Sequence, residues 1–294
     1  MTRHVNEGRR LLVGVLLGIT LVIWGAGLAT ADEPVNAVVK TAEGYVEESF
    51  PYSKKIRAWR FDPKEKGKQP AVLLLPGADG AAGVEGLYCA LAKRMTEKGY
   101  VVFIVHYLDA TKPVKPVQIC GLVKRAVCDK ATEAEEARVA EYFENWTSCV
   151  SEVVSLVRKE QGVDGERIGI VGLSLGGFVA LSCAAQPELK IAAVASGFGG
   201  LPKNKIHAVK WLPATLIVHG DEDEVVPVQH AFALRRLKRQ MKLPIEVKIY
   251  EEVGHVFQIG NGKFDMLKMQ EAEHLMMEHL RKHLQPEKSA AISR

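Results

Sequence analysis

Short, continuous apolar runs alternate with helical patterns along most of this chain, and this alternation restricts its fold more than any other feature. The runs include AVLLLP, YVVFIVHY, RIGIVG, KIAAVAS and ATLIVHG. A strand that is apolar throughout is buried on both faces, as in a parallel sheet covered by helices. The alternation therefore predicts an α/β domain with a mostly parallel central sheet and helices on both faces. Residues 32–294 show no shift in composition, which favours a single domain.

The overall composition argues against a nucleic-acid-binding protein. Of the 294 residues, 47% are hydrophobic and 25% are charged, and the net charge is only +4. A nucleic-acid-binding domain usually carries a strongly basic face, and this sequence has neither that excess nor a stripe of Arg and aromatic residues. We therefore expect no nucleic-acid partner.

The first 31 residues have the pattern of a secretory signal peptide. Arg9 and Arg10 precede an apolar run over residues 11–28, which ends in Ala-Thr-Ala at positions 29–31. A basic head, an apolar middle and an A-x-A site predict cleavage after Ala31 and an exported, periplasmic or secreted protein. The alternative is an uncleaved membrane anchor, since the run is close to the minimum length for a span. We expect contact with a membrane only in that case.

The sequence GLSLGG lies where the run RIGIVG meets a helical pattern. Ser174 is flanked at two-residue spacing by Gly172 and Gly176, and Gly177 follows. A serine at the tip of a sharp strand-to-helix turn requires small residues at these positions. The pattern predicts a nucleophile elbow that exposes the Ser174 hydroxyl. The alternative is a tight turn with an incidental serine.

A nucleophilic serine needs a base and an acid that orients the base. On this kind of fold they follow the serine in the order acid, then histidine. The loop after ATLIVHG supplies Asp221, Glu222, Asp223 and Glu224, and spacing alone does not choose among them. His255 follows the strand IEVKIY in the next such loop and is the expected base.

The other histidines fit the role of the base less well. His106 ends the strand VVFIV and could reach the cleft, whereas His219 ends a strand beside a glycine and is interpreted as structural. His274, His279 and His283 fall on the last helix and are expected to be solvated. No Glu follows His279 as the zinc motif H-E-x-x-H requires, so we expect no metal site.

The motifs GLSLGG, HGDEDEVVP and GHVF resemble the dienelactone hydrolase family of the α/β-hydrolase fold, over about residues 55–283. The resemblance implies that Asp223, three residues after the glycine of HGDEDEVVP, is the acid. It places the oxyanion-hole loop in LLLPGADG, with backbone N–H donors from Leu175 and from Ala78 or Gly77. It also implies that Tyr107 faces the substrate pocket.

Two departures from the family pattern affect the expected activity. Dienelactone hydrolases proper use a cysteine nucleophile, whereas this chain has Ser174, which favours a general carboxylic-ester hydrolase. Many relatives open the oxyanion loop with a histidine, whereas this chain has Pro76. Because the donor in that loop is a backbone N–H, the substitution is compatible with the chemistry.

The sequence thus predicts an exported serine hydrolase that cleaves small-molecule carboxylic esters or lactones through an acyl-enzyme. We expect a monomer without a metal or organic cofactor. The alternatives are a peptidase or acyltransferase on the same fold, or a non-catalytic exported binding protein.

Residues 108–130 form a long connection after the strand VVFIV and are predicted to be a lid or cleft-wall loop. Two prolines, at positions 113 and 116, favour irregular structure. Cys120 and Cys128 lie in this segment, and an exported protein meets an oxidising compartment, so we predict a Cys120–Cys128 disulfide. The alternatives are two free thiols or a pairing of one of them with Cys149.

Overall fold

A computed structural model describes residues 39–40, 46–50, 56–80, 84–111, 116–260 and 262–285. They belong to one unit, Asn36–Arg294. The predicted signal peptide, residues 1–31, lies outside the described residues. Within the described ranges, no helix has both the length and the apolar character needed to cross a membrane.

The described strands form one nine-stranded sheet in the order β1-β2-β3-β5-β4-β6-β7-β8-β9. The three pairs from β1 to β5 are antiparallel, and every pair from β5 through β4 to β9 is parallel. The prediction of a mostly parallel sheet is confirmed. The strands are β1 (Val39–Lys40), β2 (Val46–Phe50), β3 (Ile56–Phe61), β4 (Gln69–Leu75), β5 (Val101–Val105), β6 (Val163–Leu173), β7 (Ala193–Gly197), β8 (Ala214–Gly220) and β9 (Ile245–Tyr250).

Helices cover both faces of this sheet. Alternate residues of β4 enter two different hydrophobic clusters, with Leu73 and Leu75 in one and Val72 and Leu74 in the other. The first cluster contains residues of α2, α3, α4 and α6, and the second contains residues of α1 and α7. The helices are α1 (Glu85–Thr96), α2 (Pro116–Val127), α3 (Glu133–Val157), α4 (Leu175–Ala184), α5 (Lys203–Ile206), α6 (Gln229–Met241) and α7 (Met266–Leu284). Because both faces are covered, the buried part of each central strand is mostly apolar.

The connection at residues 108–130 is largely helical rather than an irregular loop. A 3₁₀ helix spans Tyr107–Thr111, and α2 begins at Pro116. The reason is that proline is tolerated in the first turn of a helix, where the backbone N–H needs no intrahelical acceptor. Pro116 therefore starts α2 instead of breaking the segment.

This helix also rules out the predicted Cys120–Cys128 disulfide in the structure. Positions 120 and 128 are eight residues apart, which corresponds to about 12 Å along a helix, whereas bridged Cα atoms lie about 4.4–6.8 Å apart. Cys128 is a free thiol whose Sγ lies 3.6 Å from the carbonyl oxygen of Val225. Cys149 is also free and buried, and the side chain of Cys120 lies outside the described side chains.

The expectation of a solvated His279 is wrong. Its side chain is buried, and its Nε2 lies 3.2 Å from the carbonyl oxygen of Ala214, the first residue of β8. Burial, together with the neighbouring His283, lowers the pKa of His279 to about 4. The folded protein therefore holds His279 neutral at a pH where the unfolded chain protonates it.

Acidification should destabilise the protein through His279. A histidine whose pKa is depressed on folding stabilises the folded state fully above its unfolded value, about 6.5, and this stability is lost as the pH falls towards the folded value. We expect the wild type to lose up to about 3 kcal/mol of unfolding free energy from this group between pH 7 and pH 4. Urea unfolding of His279→Gln over that range should show a flatter pH dependence.

The matched control is His274→Gln, at an exposed position of the same helix. It should keep the wild-type pH dependence. An unchanged slope in His279→Gln would show that this histidine does not control the acid sensitivity.

Candidate active site

Ser174 occupies a sharp turn between β6 and α4. Its backbone has φ 54° and ψ −119°, a strained conformation for any residue with a side chain. The Ser174 N–H donates to the carbonyl oxygen of Gly197 (2.7 Å), and its own carbonyl oxygen accepts from the Gly177 N–H (2.9 Å). These bonds fix the strained serine at the carboxyl edge of the sheet.

The glycines around Ser174 are required by close backbone packing. A Cβ atom at Gly172 would lie 2.1 Å from the carbonyl oxygen of Gly176. A Cβ atom at Gly176 would lie 2.1 Å from the carbonyl oxygen of Leu75, at the end of β4. Glycines at these two positions therefore allow the turn to pack closely against its own backbone and against the end of β4.

Loops at the ends of β8 and β9 bring an acid and a histidine to this serine. The His255 Nε2 lies 2.9 Å from Ser174 Oγ, and its Nδ1 lies 2.8 Å from Asp223 Oδ2. The two loops touch closely, since a Cβ at Gly220 would lie 2.1 Å from the carbonyl oxygen of Val253. The three side chains form a continuous hydrogen-bonded chain from Ser174 through His255 to Asp223, and along the sequence they follow the predicted order Ser, Asp, His.

Asp223 is the buried member of the acidic run, whereas Asp221, Glu222 and Glu224 are exposed. Its Oδ1 accepts the backbone N–H groups of Val225 (2.9 Å) and Val226 (2.8 Å). Burial acts to raise the pKa of Asp223, but the hydrogen bonds from His219, His255 and the backbone outweigh it and hold the pKa well below its usual range. Asp223 is therefore a buried carboxylate facing the His255 ring.

A second histidine, His219, lies on the other side of Asp223. Its fully buried Nε2 is 2.8 Å from the carbonyl oxygen of Val226 and 3.4 Å from Asp223 Oδ2. The shorter contact identifies Val226 as the main acceptor of its N–H. His219 is interpreted from the sequence as structural, and its contact with the acid is not predicted. The sequence signal for this contact is that His219 precedes Asp223 by four residues.

The His255 ring is held by aromatic packing as well as by hydrogen bonds. The Phe198 ring packs edge-on against His255 and against Phe257, with centroid distances of 5.6 Å and 4.9 Å. Val256 and Phe257 both have positive φ angles, 53° and 65°, directly after the histidine. The strained turn and the aromatic contacts together define the direction of the imidazole.

Two tyrosines hold the loop that follows β4. The Tyr88 hydroxyl oxygen accepts the Gly77 N–H (2.9 Å), and the Tyr107 hydroxyl donates to the carbonyl oxygen of Pro76 (2.7 Å). The Gly77 N–H therefore already has an acceptor, so of the two N–H groups expected as the second oxyanion donor, that of Ala78 remains available. Ala78 and Leu175 both line the cavity at Ser174, and within the described part of the chain neither backbone N–H has a protein acceptor.

The side chains of Tyr107 and His106 do not line this cavity, contrary to expectation. Tyr107 is buried beneath the loop through its bond to Pro76, and His106 is buried against the ring of Trp59, with centroids 4.4 Å apart. Both residues directly follow β5, at the predicted edge of the sheet, but their side chains point into the core. Tyr107 supports the loop instead of contacting a substrate.

Ser174 and His255 open into a cavity of about 540 Å³. Its wall is mostly apolar, and the charged residues in the described part of the wall are Asp79 and Lys124. Helix α2 forms one side of the cavity, so the segment that was predicted to be a loop does contribute to the cleft wall. Among the described residues, no group of three or more His, Cys, Asp or Glu side chains could hold a metal ion.

A model of the dienelactone hydrolase family matches residues 56–284. The chain belongs to the dienelactone hydrolase family. A Bradyrhizobium protein named "Probable 2-oxo-3-(5-oxofuran-2-ylidene)propanoate lactonase" is 23% identical over 206 residues, covering 66% of this chain and 76% of that protein. Family membership supports a hydrolase, here a variant with serine at the elbow.

Solved structures confirm the α/β-hydrolase fold of this family member. A dienelactone hydrolase-like promiscuous phosphotriesterase from metagenomic libraries superposes with a TM-score of 0.62 at 15% identity, over 81% of this chain and 97% of that chain. The esterase Est2 of the Planctomycetes species Thermogutta terrifontis gives a TM-score of 0.59 at 18% identity, over 83% of this chain and 95% of that chain. At these identities the likeness concerns the fold alone.

The close packing of the elbow predicts a strong effect of one added methyl group. Gly172→Ala should lower the unfolding free energy by about 3 kcal/mol or more, because the new Cβ would overlap the Gly176 carbonyl oxygen and the backbone would have to move. Gly86→Ala is the matched control, since Gly86 lies in α1 with no atom within 4 Å of an added Cβ. Thermal unfolding should show a lower Tm only for Gly172→Ala, and equal Tm values would contradict the packing argument.

Proposed function

We propose that this protein is a serine hydrolase that cleaves small-molecule carboxylic esters or lactones through an acyl-enzyme. The observation that carries the proposal is the hydrogen-bonded chain from Ser174 through His255 to Asp223, which opens into an apolar cavity. Membership of a hydrolase family supports it independently.

In the first half-reaction, Ser174 Oγ attacks the substrate carbonyl carbon while His255 Nε2 takes the hydroxyl proton. The Asp223 carboxylate accepts the His255 Nδ1–H, which orients the ring and stabilises its positive charge. The backbone N–H groups of Leu175 and Ala78 are the proposed donors to the tetrahedral oxyanion. When the intermediate collapses, His255 returns the proton to the leaving alkoxide, and Ser174 remains acylated.

In the second half-reaction, a water molecule replaces the alcohol. His255 takes a proton from this water, and the resulting hydroxide attacks the acyl carbonyl carbon. Collapse of the second tetrahedral intermediate breaks the bond to Ser174 Oγ, which recovers its proton from His255. The product is a carboxylic acid, and for a lactone the acid and alcohol remain in one molecule.

The geometry favours a serine hydrolase over a non-catalytic binding protein. A binding module has no need for a serine with φ 54°, and strain of this kind is retained where the position itself has a use. The oxyanion loop is equally constrained, since Tyr88 and Tyr107 hold adjacent residues of it. Both features serve a reaction at the Ser174 hydroxyl.

Reaction with a fluorophosphonate probe tests the nucleophile directly. The wild type should be labelled, whereas Ser174→Ala should not be. On an activated ester, Ser174→Ala and His255→Ala should each lower kcat by about a thousandfold or more, because these residues act as a unit. Asp223→Asn should also cost about a thousandfold.

The matched control is Asp221→Asn, which removes an exposed carboxylate from the same loop and should leave the rate nearly unchanged. Equal losses in the two Asp variants would refute the assignment of the acid. Assays with a peptide anilide, and with an acceptor alcohol added to the ester, identify the peptidase and acyltransferase alternatives. Turnover of the anilide alone would overturn ester hydrolysis.

We further propose that the protein is exported and that its signal peptide is cleaved after Ala31. The A-x-A pattern at positions 29–31 supports this proposal. When the full chain is expressed in a bacterial host, N-terminal sequencing should find Asp32 as the first residue, and Ala31→Arg should block the cleavage. A wild-type chain that keeps its N-terminus and sediments with the membrane fraction would instead identify an anchor.

A further inference from the structure

A second, smaller cavity of about 110 Å³ lies beside the cavity at Ser174. Its lining is mainly apolar and includes Val139, Phe143 and Pro202. The charged side chains on its wall, Lys203 and Glu136, pair with each other at 3.1 Å and are both exposed. The interior of this cavity therefore suits an apolar group and offers no free charge to a polar one.

Among the residues that the structure describes, two line both cavities and so form the wall between them. They are Phe178, on α4, and Val127, the last residue of α2. Both are buried, with 1% and 8% of their surface exposed. Phe178 follows Ser174 by four residues, which places it one helical turn beyond the serine. A substrate chain that extends from the reacting carbonyl in this direction meets the wall within a short distance.

The wall is held rigid by a third residue, His230, which contacts both of its members. The ring of His230 packs edge-on against Phe178, with centroids 5.2 Å apart, and its Nε2 lies 3.0 Å from the carbonyl oxygen of Val127. Phe143 packs against Phe178 from the small cavity, at 5.7 Å between centroids. The two contacts of His230 hold the wall without Phe143, so the two cavities stay separate.

We propose that Phe178 and Val127 determine specificity by limiting the length of the unbranched alkyl chain that a substrate ester can carry. The wall makes the protein selective for short chains, and the small cavity is a blocked apolar subsite that a longer chain would fill. This inference rests on the proposed ester hydrolase function.

The test compares two Phe→Ala variants that differ only in their relation to the wall. Phe178→Ala removes the wall and joins the cavities, whereas Phe143→Ala enlarges the small cavity and leaves the wall in place. The substrates are p-nitrophenyl esters from acetate to octanoate, together with acetates of methyl to octyl alcohols. The two series separate a chain on the acyl side from a chain on the alcohol side.

Phe178→Ala should raise the octyl-to-methyl or octanoate-to-acetate ratio of kcat/KM by tenfold or more over the wild type in one series. Each buried methylene can contribute about fourfold, so burial of only two reaches that value. Phe143→Ala should keep the wild-type ratio in both series. A Phe143→Ala variant with the same shift as Phe178→Ala would overturn the assignment of the wall.

Val127→Ala and Val139→Ala form a milder pair that keeps the test decisive if Phe178→Ala does not fold. Both variants lose the same two methyl groups beside the small cavity, but only Val127 also lines the cavity at Ser174. Only Val127→Ala should shift the ratio, by a few-fold. Folded Phe178→Ala and Val127→Ala proteins that react with the fluorophosphonate probe and keep the wild-type ratio would overturn the proposal. If the wild type reacts with the probe but hydrolyses none of these esters, ester hydrolysis itself fails and the limit on chain length fails with it.

Discussion

The rest of the site depends on the close packing of backbone at the turn between β6 and α4. Because Gly172 and Gly176 have no Cβ atom, the turn can close until a carbonyl oxygen lies only 2.1 Å from the position that each Cβ would occupy. The same packing brings the end of β4 against α4, so the loop that carries Ala78 and the helix that begins at Leu175 meet on one side of Ser174. One steric constraint thus positions both the hydroxyl and its nearest backbone donors.

The acid and the base reach this turn through a second backbone contact, between the loops after β8 and β9. Gly220 allows the approach of Val253, and the loops then share the bond between Asp223 and His255. A buried carboxylate is costly unless every lone pair has a partner. For Asp223 this cost is offset by hydrogen bonds from two backbone N–H groups and from His255, and His219 lies at a longer distance. The charge on Asp223 is therefore stable only when its loop is correctly folded. The same loop is linked to the base through the hydrogen bond between Asp223 and His255.

The shape of the cavity is set by side chains that do not take part in the proposed reaction. Tyr88 and Tyr107 hold the loop after β4 from two sides, and His230 holds the wall between the two cavities. These residues come from α1, the 3₁₀ helix after β5, and α6. The chemistry is concentrated at a few strand ends, whereas the space offered to a substrate is distributed over the surrounding helices.

The sequence by itself determined the alternation of strands and helices, the elbow at Ser174 and the chain order of acid and base, because periodicity and turn geometry are local properties. The resemblance to a family singled out Asp223, and only the folded loop brings its carboxylate to His255 while its acidic neighbours stay exposed. Tertiary structure also decided that Tyr107 and His279 are buried, that residue 116 begins a helix, and that Phe178 and Val127 meet at one wall. These outcomes depend on which distant segments pack together, and the free energy of that packing is not encoded in any short stretch of residues.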